Sequence, residues 1–448
     1  MPFRRFFDRD SKRREPSAPE GEEAVAEEVE VEEAEVELEE EEEREPEDAD
    51  EIDWRARANA VLPTGASTGS KRAEALYGDA AAHGPTHFTA SVGCRLADPD
   101  GNTYLDCTMA LGAVALGYAE PSVTRAVQAA AAGGNVSGLS DVREIEVAER
   151  LCDVIPCAEM VQFLKTGAEA VSAAVRLART YTGRDIVVGS GYFGWHDWSS
   201  AATGVPASVQ NQYRAIPFDD VAALEAAARD AGGDLAAIVL EPVVERLPSD
   251  EWIARARALC DERGAALIFD EMKTGFRLRT GGYQEFSGVK PDLAAFGKAM
   301  ANGYPLAAVV GRRDLMEAAR RTWISSTLAG EGTGLAAAGA VLDWHQQADI
   351  CDSLWSIGRD LKSGIQAAIT ASGISGVAVD GVDPMWLIRF DDLRRETRFL
   401  ELAASHGALF KRGAYNYAAV AHVDDVIEEI EAIANRAFID LREEERTR

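Results

Sequence analysis

The chain has 448 residues, 46% of them hydrophobic, and carries a formal net charge of -30. That length and apolar content suit one large two-part domain or two to three ordinary ones, with a sizeable core. The acidic balance argues against a nucleic-acid-binding protein, which wants a basic face.

The charge is unevenly spread. Between Glu20 and Asp53, 21 acidic residues stand against one basic residue, Arg44. This run cannot bury enough apolar surface to fold alone, so residues 1–53 are expected to form a disordered acidic tail. Such a tail solubilises, and it also offers a surface to a basic partner. The opening MPFRRFFDRDSKRR lacks the apolar core of a secretory signal, and no segment reaches membrane-helix length. Cys94, Cys107, Cys152, Cys157, Cys260 and Cys351 form no CxxC pair and have no zinc-like spacing, so no metal site is expected. They read as buried thiols of a reducing compartment, and the chain as cytoplasmic.

From Trp54 the pattern alternates helix and strand. Ala90 to Asp106 reads as extended chain turning at DPDGN, residues 98–102. Glu120-Pro121 opens an Ala-rich helix that ends at Gly133-Gly134. In the next helix Val142, Ile145, Ala148, Leu151 and Val154 share one face. Six short apolar runs follow at strand length: 160–164, 185–189, 235–242, 266–271, 292–297 and 306–311. Nearly continuous apolar runs separated by helices predict an α/β fold with a mostly parallel sheet covered on both faces. Beyond about residue 345, long helices with few strands predict a smaller α+β domain.

Ligands of open α/β sheets bind outside the carboxyl ends of the strands, and four such ends are chemically loaded. MVQFL-KTGAEA places Thr166, Gly167 and Ala168 at a helix start, where free N–H groups suit a phosphate. ALIFDE ends in Asp270, either a helix cap or a buried carboxylate for a cationic ring nitrogen. GSGYFGWHDW presents Tyr192, which either packs ordinarily or lies over a flat ligand. PDLAAFGKAMANGYP sets Lys298 among small and apolar residues. Either this lysine snorkels to the surface, or desolvation makes it a nucleophile and base.

Taken in order, these pieces resemble the class III aminotransferases that use pyridoxal 5'-phosphate (PLP), in particular those similar to glutamate-1-semialdehyde aminomutase. The resemblance runs from about Trp54 to the C-terminus. It rests on DPDGNTYLD, FLKTGAEAVSAAVRLARTYTGR, GYFGWHDW, AAIVLEPV, LIFDEMKTGFR, PDLAAFGKAMANGYPLAAVVGRRDLME and SSTLAGEG. It implies the PLP-dependent aminotransferase fold (fold type I), with residues 54–106 opening the small domain, 107–345 forming the large PLP-binding domain, and 346–448 completing the small one.

The resemblance also implies roles. Lys298 forms the internal aldimine and moves the proton, Asp270 pairs with the pyridine nitrogen, and Tyr192 stacks on the ring. Met272 falls where a valine usually packs beneath it. Thr166, Gly167 and Ala168 form the phosphate cup, Glu241 lines the neighbouring strand end, and Thr327 reaches the phosphate of the partner subunit in a homodimer. Arg277 and His422 lie near the site, with functional and structural roles both open.

Three departures stand out. The cup usually offers a second hydroxyl where this chain has Ala168, at a cost of about 0.5–1.5 kcal/mol for the lost hydrogen bond. The histidine common after the tyrosine is Phe193. SSTLAGEG looks like the aminotransferases of surface-polysaccharide and secondary-metabolite pathways rather than the aminomutase. The implied activity is amino transfer from an amino donor to a small aldehyde or ketone. Intramolecular transfer of the aminomutase type is the alternative, and an inactive PLP-fold interaction protein a further one.

Overall fold

In the computed structural model, residues 52–79 and 81–447 are described. The acidic run, with its expected disorder and its surface for a basic partner, lies outside them apart from Ile52 and Asp53. Fourteen strands occur among the described residues: β1 (Ala90–Val92), β2 (Arg95–Ala97), β3 (Thr103–Asp106), β4 (Met160–Leu164), β5 (Ile186–Ser190), β6 (Tyr213–Ala215), β7 (Leu235–Leu240), β8 (Ala266–Asp270), β9 (Leu293–Phe296), β10 (Ala307–Gly311), β11 (Val377–Val382), β12 (Met385–Phe390), β13 (Ala408–Leu409) and β14 (Asn416–Tyr417).

The central sheet has the order β4-β10-β9-β8-β7-β5-β6. Only β10 runs antiparallel to its neighbours, so the carboxyl ends of β4, β5, β7, β8 and β9 open on one edge. Every residue of β7, β8 and β9 is buried, as continuous apolar runs demand when both faces are covered. One face is covered by the helix Gly167–Thr182, whose Ala170, Val171, Ala174, Leu177 and Ala178 are fully or almost fully buried. Its small side chains let the helix sit close to Val187, Ala237, Val239 and Ile268 in the same core cluster. Burying a Val- or Leu-sized side chain contributes about 1.5–3 kcal/mol, so this layer fixes the helix start firmly against the strand ends.

Two smaller sheets flank the large one. β1, β2 and β3 form a meander whose turn is held by Asp98, which accepts hydrogen bonds from the N–H groups of Asp100 (3.0 Å) and Asn102 (2.8 Å). β13 joins this sheet by pairing parallel with β3, Ala408 opposite Leu105. β11, β12 and β14 form the third sheet, near the long helices Ile350–Ser372 and Asp424–Thr447.

One expectation needs correction. In the helix Val142–Val154 the core takes Val147 and Leu151, while Val142 and Ile145 are exposed. The face that buries is rotated toward Val147, because Leu151 and its neighbours meet the helix Gly332–Gln347 and β4.

Candidate active site

Strand register brings the loaded ends together. Ser190 lies opposite Leu240, Leu240 opposite Phe269, and Asp270 opposite Ala295. Tyr192, Glu241, Asp270 and Lys298 therefore leave four adjacent strands on one edge.

Lys298 opens the 3-10 turn Lys298–Ala301 with a left-handed backbone, φ 50°. For a residue with a Cβ this conformation is strained and persists only when the surroundings impose it. Asn302 imposes it. Its side-chain oxygen accepts from the N–H groups of Ala115 and Leu116, both at 3.0 Å, and its amide donates to the carbonyl of Gly117 at 3.0 Å. Burial lowers the Lys298 pKa to about 8, and the Lys273 ammonium adds to the effect against the pull of Asp270 and Glu241.

Asp270 is buried, and its one hydrogen bond among the described residues comes from the Met272 N–H at 3.0 Å. Burial raises its pKa to about 7, and the Glu241 carboxylate pushes the same way. A buried carboxylate this poorly satisfied suits a cationic partner.

Thr166 caps the helix Gly167–Thr182. Its hydroxyl accepts from the Glu169 N–H at 3.2 Å, while the Glu169 carboxylate accepts from the Thr166 N–H at 2.9 Å. This capping box leaves the N–H groups of Gly167 and Ala168 without protein acceptors among the described residues, at the positive end of the helix. A Cβ at Gly167 would stand 2.8 Å from the Met272 sulfur, so that side chain would have to shift. The same sulfur would meet a Cβ on Gly297, so Met272 wedges between the helix start and the Lys298 turn. Ala168 packs against Gly194, where an added Cβ would stand 2.5 Å away.

The Tyr192 loop is set by its neighbour. Phe193 is buried and stacks on Trp198 at 5.6 Å, and chain alternation then turns Tyr192 outward, 76% exposed. The Tyr192 N–H donates to buried Glu241 at 3.0 Å.

Thr327 is exposed and lines a cavity of about 320 Å³ with Ser137, Leu139 and Gln162. No hydrogen bond joins it to the Lys298 cluster among the described residues. The same segment is tied to the helix cap through Glu331, which pairs with Lys165 at 2.6 Å. Lys165 and the cap at Gly334 hold the Glu331 pKa down to about 2, against burial.

Arg277 and His422 are both tied to backbone groups. Arg277 is fully buried and donates to the carbonyls of Ala418 (2.7 Å), Gly112 (3.1 Å) and Pro384 (3.4 Å). His422 Nδ1 accepts from the Ala419 N–H at 3.1 Å, which leaves Nε2 to donate to the Asp106 carbonyl at 3.2 Å. Burial lowers its pKa to about 4, so it is a neutral strut.

Sequence reasoning missed Lys273. It ion-pairs with Glu241 and lies 4.6 Å from the centre of the Tyr415 ring. The signal was present in LIFDEMKTGFR, three residues past Asp270, but its partner lies 32 positions upstream and the pairing is visible only in three dimensions.

Residues 77–421 match the family Aminotransferase class-III. The chain belongs to this family. The class-III aminotransferase is 37% identical over 312 residues to 2'-deamino-2'-hydroxyneamine transaminase of Streptomyces kanamyceticus, covering 69% of this chain and 79% of that one. It is 34% identical over 394 residues to glutamate-1-semialdehyde 2,1-aminomutase of Sorangium cellulosum, covering 80% and 87%. Among solved structures it superposes on the PLP internal aldimine form of the FumI protein of Sphingopyxis sp. with a TM-score of 0.83 at 27% identity, covering 88% and 97%. The PLP-dependent aminotransferase fold with a mostly parallel central sheet is thereby shown. The residues fit such a cofactor: open N–H groups at the helix cup, a cleft where a Cβ at Gly167 would meet Met272, and a buried carboxylate short of partners.

Proposed function

We propose that the chain is a PLP-dependent aminotransferase that moves an amino group from an amino donor to a small aldehyde or ketone through Lys298. The observation that carries the reading is the convergence of Lys298, Asp270 and Glu241 on adjacent strand ends, with Lys298 depressed and Asp270 raised. The bound cofactor supplies the electron sink for chemistry at the substrate Cα. Lys298 takes the proton there and returns it, a role typically worth about 10²–10⁴-fold in rate. Asp270 would pair with the ring nitrogen, Thr166, Gly167 and Ala168 would hold the phosphate, and Tyr192 and Met272 would pack against the ring. Glu241 holds the Tyr192 backbone.

A homodimer is the working unit in this reading, with Thr327 serving the partner's phosphate. Exposed Val136 and Leu139 in the lining of the Thr327 cavity, with exposed Val142, Ile145, Trp323 and Leu328 close to its lining segments in the chain, support it, since exposed apolar surface marks an interface. The pairing of β3 with β13 supports grouping residues 54–106 with 346–448 around a large domain of 107–345. Six free cysteines support a cytoplasmic, reducing location. Among the described residues no helix is long and apolar enough to cross a membrane.

A second reading is intramolecular transfer of the aminomutase type, favoured by curated relatives of that name that align with 80% and 86% of the chain. The retained acid–base set speaks against an inactive PLP-fold interaction protein. The test is the absorption spectrum of purified protein before and after L-glutamate, without an acceptor. A spectral change with stoichiometric release of 2-oxoglutarate supports intermolecular transfer. Cofactor absorption that L-glutamate leaves unaltered, with no 2-oxoglutarate released, rules out glutamate as the donor and moves the aminomutase or another amino donor ahead.

A further inference from the structure

Three successive residues of the Tyr192 loop rest on one buried acid, Glu241. The Ser190 carbonyl accepts from its N–H at 2.9 Å, a Cβ on Gly191 would run into its side chain, and the Tyr192 N–H donates to its carboxylate at 3.0 Å. Glu241 leaves β7 beside Asp270, because Leu240 pairs with Phe269. Buried carboxylates on adjacent strand ends repel, and an unpaired one takes up a proton or turns toward water. Lys273 prevents this as the one cation paired with Glu241 among the described residues. Its ammonium lies 4.6 Å from the centre of the buried Tyr415 ring, which fixes where the cation, and hence the carboxylate, can sit. Tyr415 is itself tied to the segment after Glu241, its hydroxyl accepting from the Glu245 N–H, and it lies outside the central sheet, just before β14.

We propose that Lys273 and Tyr415 are positioning residues of the site: they hold the Glu241 carboxylate under the Tyr192 loop and so place the ring that would pack against the cofactor. The loop needs such a support. It carries Gly189, Gly191 and Gly194, which give the backbone little stiffness, and the stacking of Phe193 on Trp198 pins it at one point. Glu241 is the second pin, and it holds only while its own charge is matched. An unbroken line of contacts thus runs from Tyr415, in the C-terminal part of the chain, through Lys273 and Glu241 to Tyr192.

The functional consequence rests on Tyr192 serving the cofactor, whereas the contacts can be tested without it. In the cofactor-free full chain, amide hydrogen exchange resolved by mass spectrometry reads the Tyr192 N–H directly. Lys273→Met should speed exchange at Tyr192 about tenfold, the loss expected for one hydrogen bond, with β7 and β8 unchanged. Tyr415→Leu should act in the same direction, and Lys273→Arg should keep the wild-type rate. Unchanged exchange at Tyr192 in Lys273→Met overturns the inference, and so does a rise spread over the whole chain, which would make Lys273 a support of the fold alone. PLP titration then follows the effect to the cofactor. Lys273→Met should weaken binding about tenfold alone but, once Tyr192→Ala is present, by no more than about twofold, since residues acting through one another are not additive. Equal losses in both backgrounds overturn the route through Tyr192. In parallel, wild type mixed with PLP and reduced with borohydride should carry the cofactor on Lys298. If it does not, the functional reading fails, while the exchange rates still decide the loop contacts.

Discussion

The sulfur of Met272 lies 2.8 Å from the point where a Cβ on Gly167 would stand. The contact couples the start of the helix Gly167–Thr182 to the segment that follows Asp270. Gly167→Ala forces an overpacked site, at a cost of about 1–3 kcal/mol. It should weaken PLP binding by tenfold or more in a fluorescence titration, and Gly167→Ala with Met272→Val should recover most of the loss. Unaltered binding by the single variant would remove Met272 as the constraint.

Lys298→Ala should lower turnover by at least about 10³-fold, from loss of both base and nucleophile. It also removes a buried ammonium from the cofactor-free chain. Its melting temperature should therefore match or exceed that of the cofactor-free wild type, the usual trade between function and stability. A variant that loses both activity and stability would point to a structural role for the lysine.

Asp270 gives the cofactor-free protein a definite pH dependence. Its folded pKa, about 7, lies above the 3.8 of an unperturbed aspartate. Its contribution to stability is thus present below pH 3.8 and is lost as pH rises toward 7. Lys298 has the opposite shift, from 10.5 to about 8, so its contribution is present above 10.5 and is lost as pH falls through 8. A cationic ring nitrogen beside Asp270 cancels the first effect. The rise in melting temperature on adding PLP should grow between about pH 4 and 7, and Asp270→Asn should flatten that growth.

Asn302→Ala leaves the N–H groups of Ala115 and Leu116 buried without their acceptor. Unsatisfied buried donors cost about 1–3 kcal/mol each, so with two of them urea denaturation should show a loss of about 2–6 kcal/mol. Because Asn302 closes the turn that Lys298 opens, kcat should fall more than KM rises. A stability loss with unchanged kcat would show that the turn holds its shape without this anchor.

Much of the site was legible because its residues sit at the ends of strands that are apolar throughout. In β7, β8 and β9 the first charged residue at or just past each end, Glu241, Asp270 or Lys298, is conspicuous for that reason. What the sequence hid is non-local. Lys273 reads as a solvated turn residue until Glu241 is placed beside it. The outward turn of Tyr192 follows from Phe193 finding Trp198, a contact no periodicity announces. The apolar stripe of the helix Val142–Val154 was visible, but periodicity cannot say which part of a wide stripe meets the core, and Val142 with Ile145 fell on the other side.

The pairing of Ala408 with Leu105 sets an order on biosynthesis. β3 leaves the ribosome about 300 residues before β13, a wait of roughly 15–60 s at elongation rates of about 5–20 residues per second. Through that interval the nascent chain carries an open strand edge beside β3, a template for wrong pairing, and all seven strands of the central sheet emerge before β13 does. Truncation shortly before residue 408 would release a chain whose large sheet is complete and whose first sheet is still waiting for its last strand.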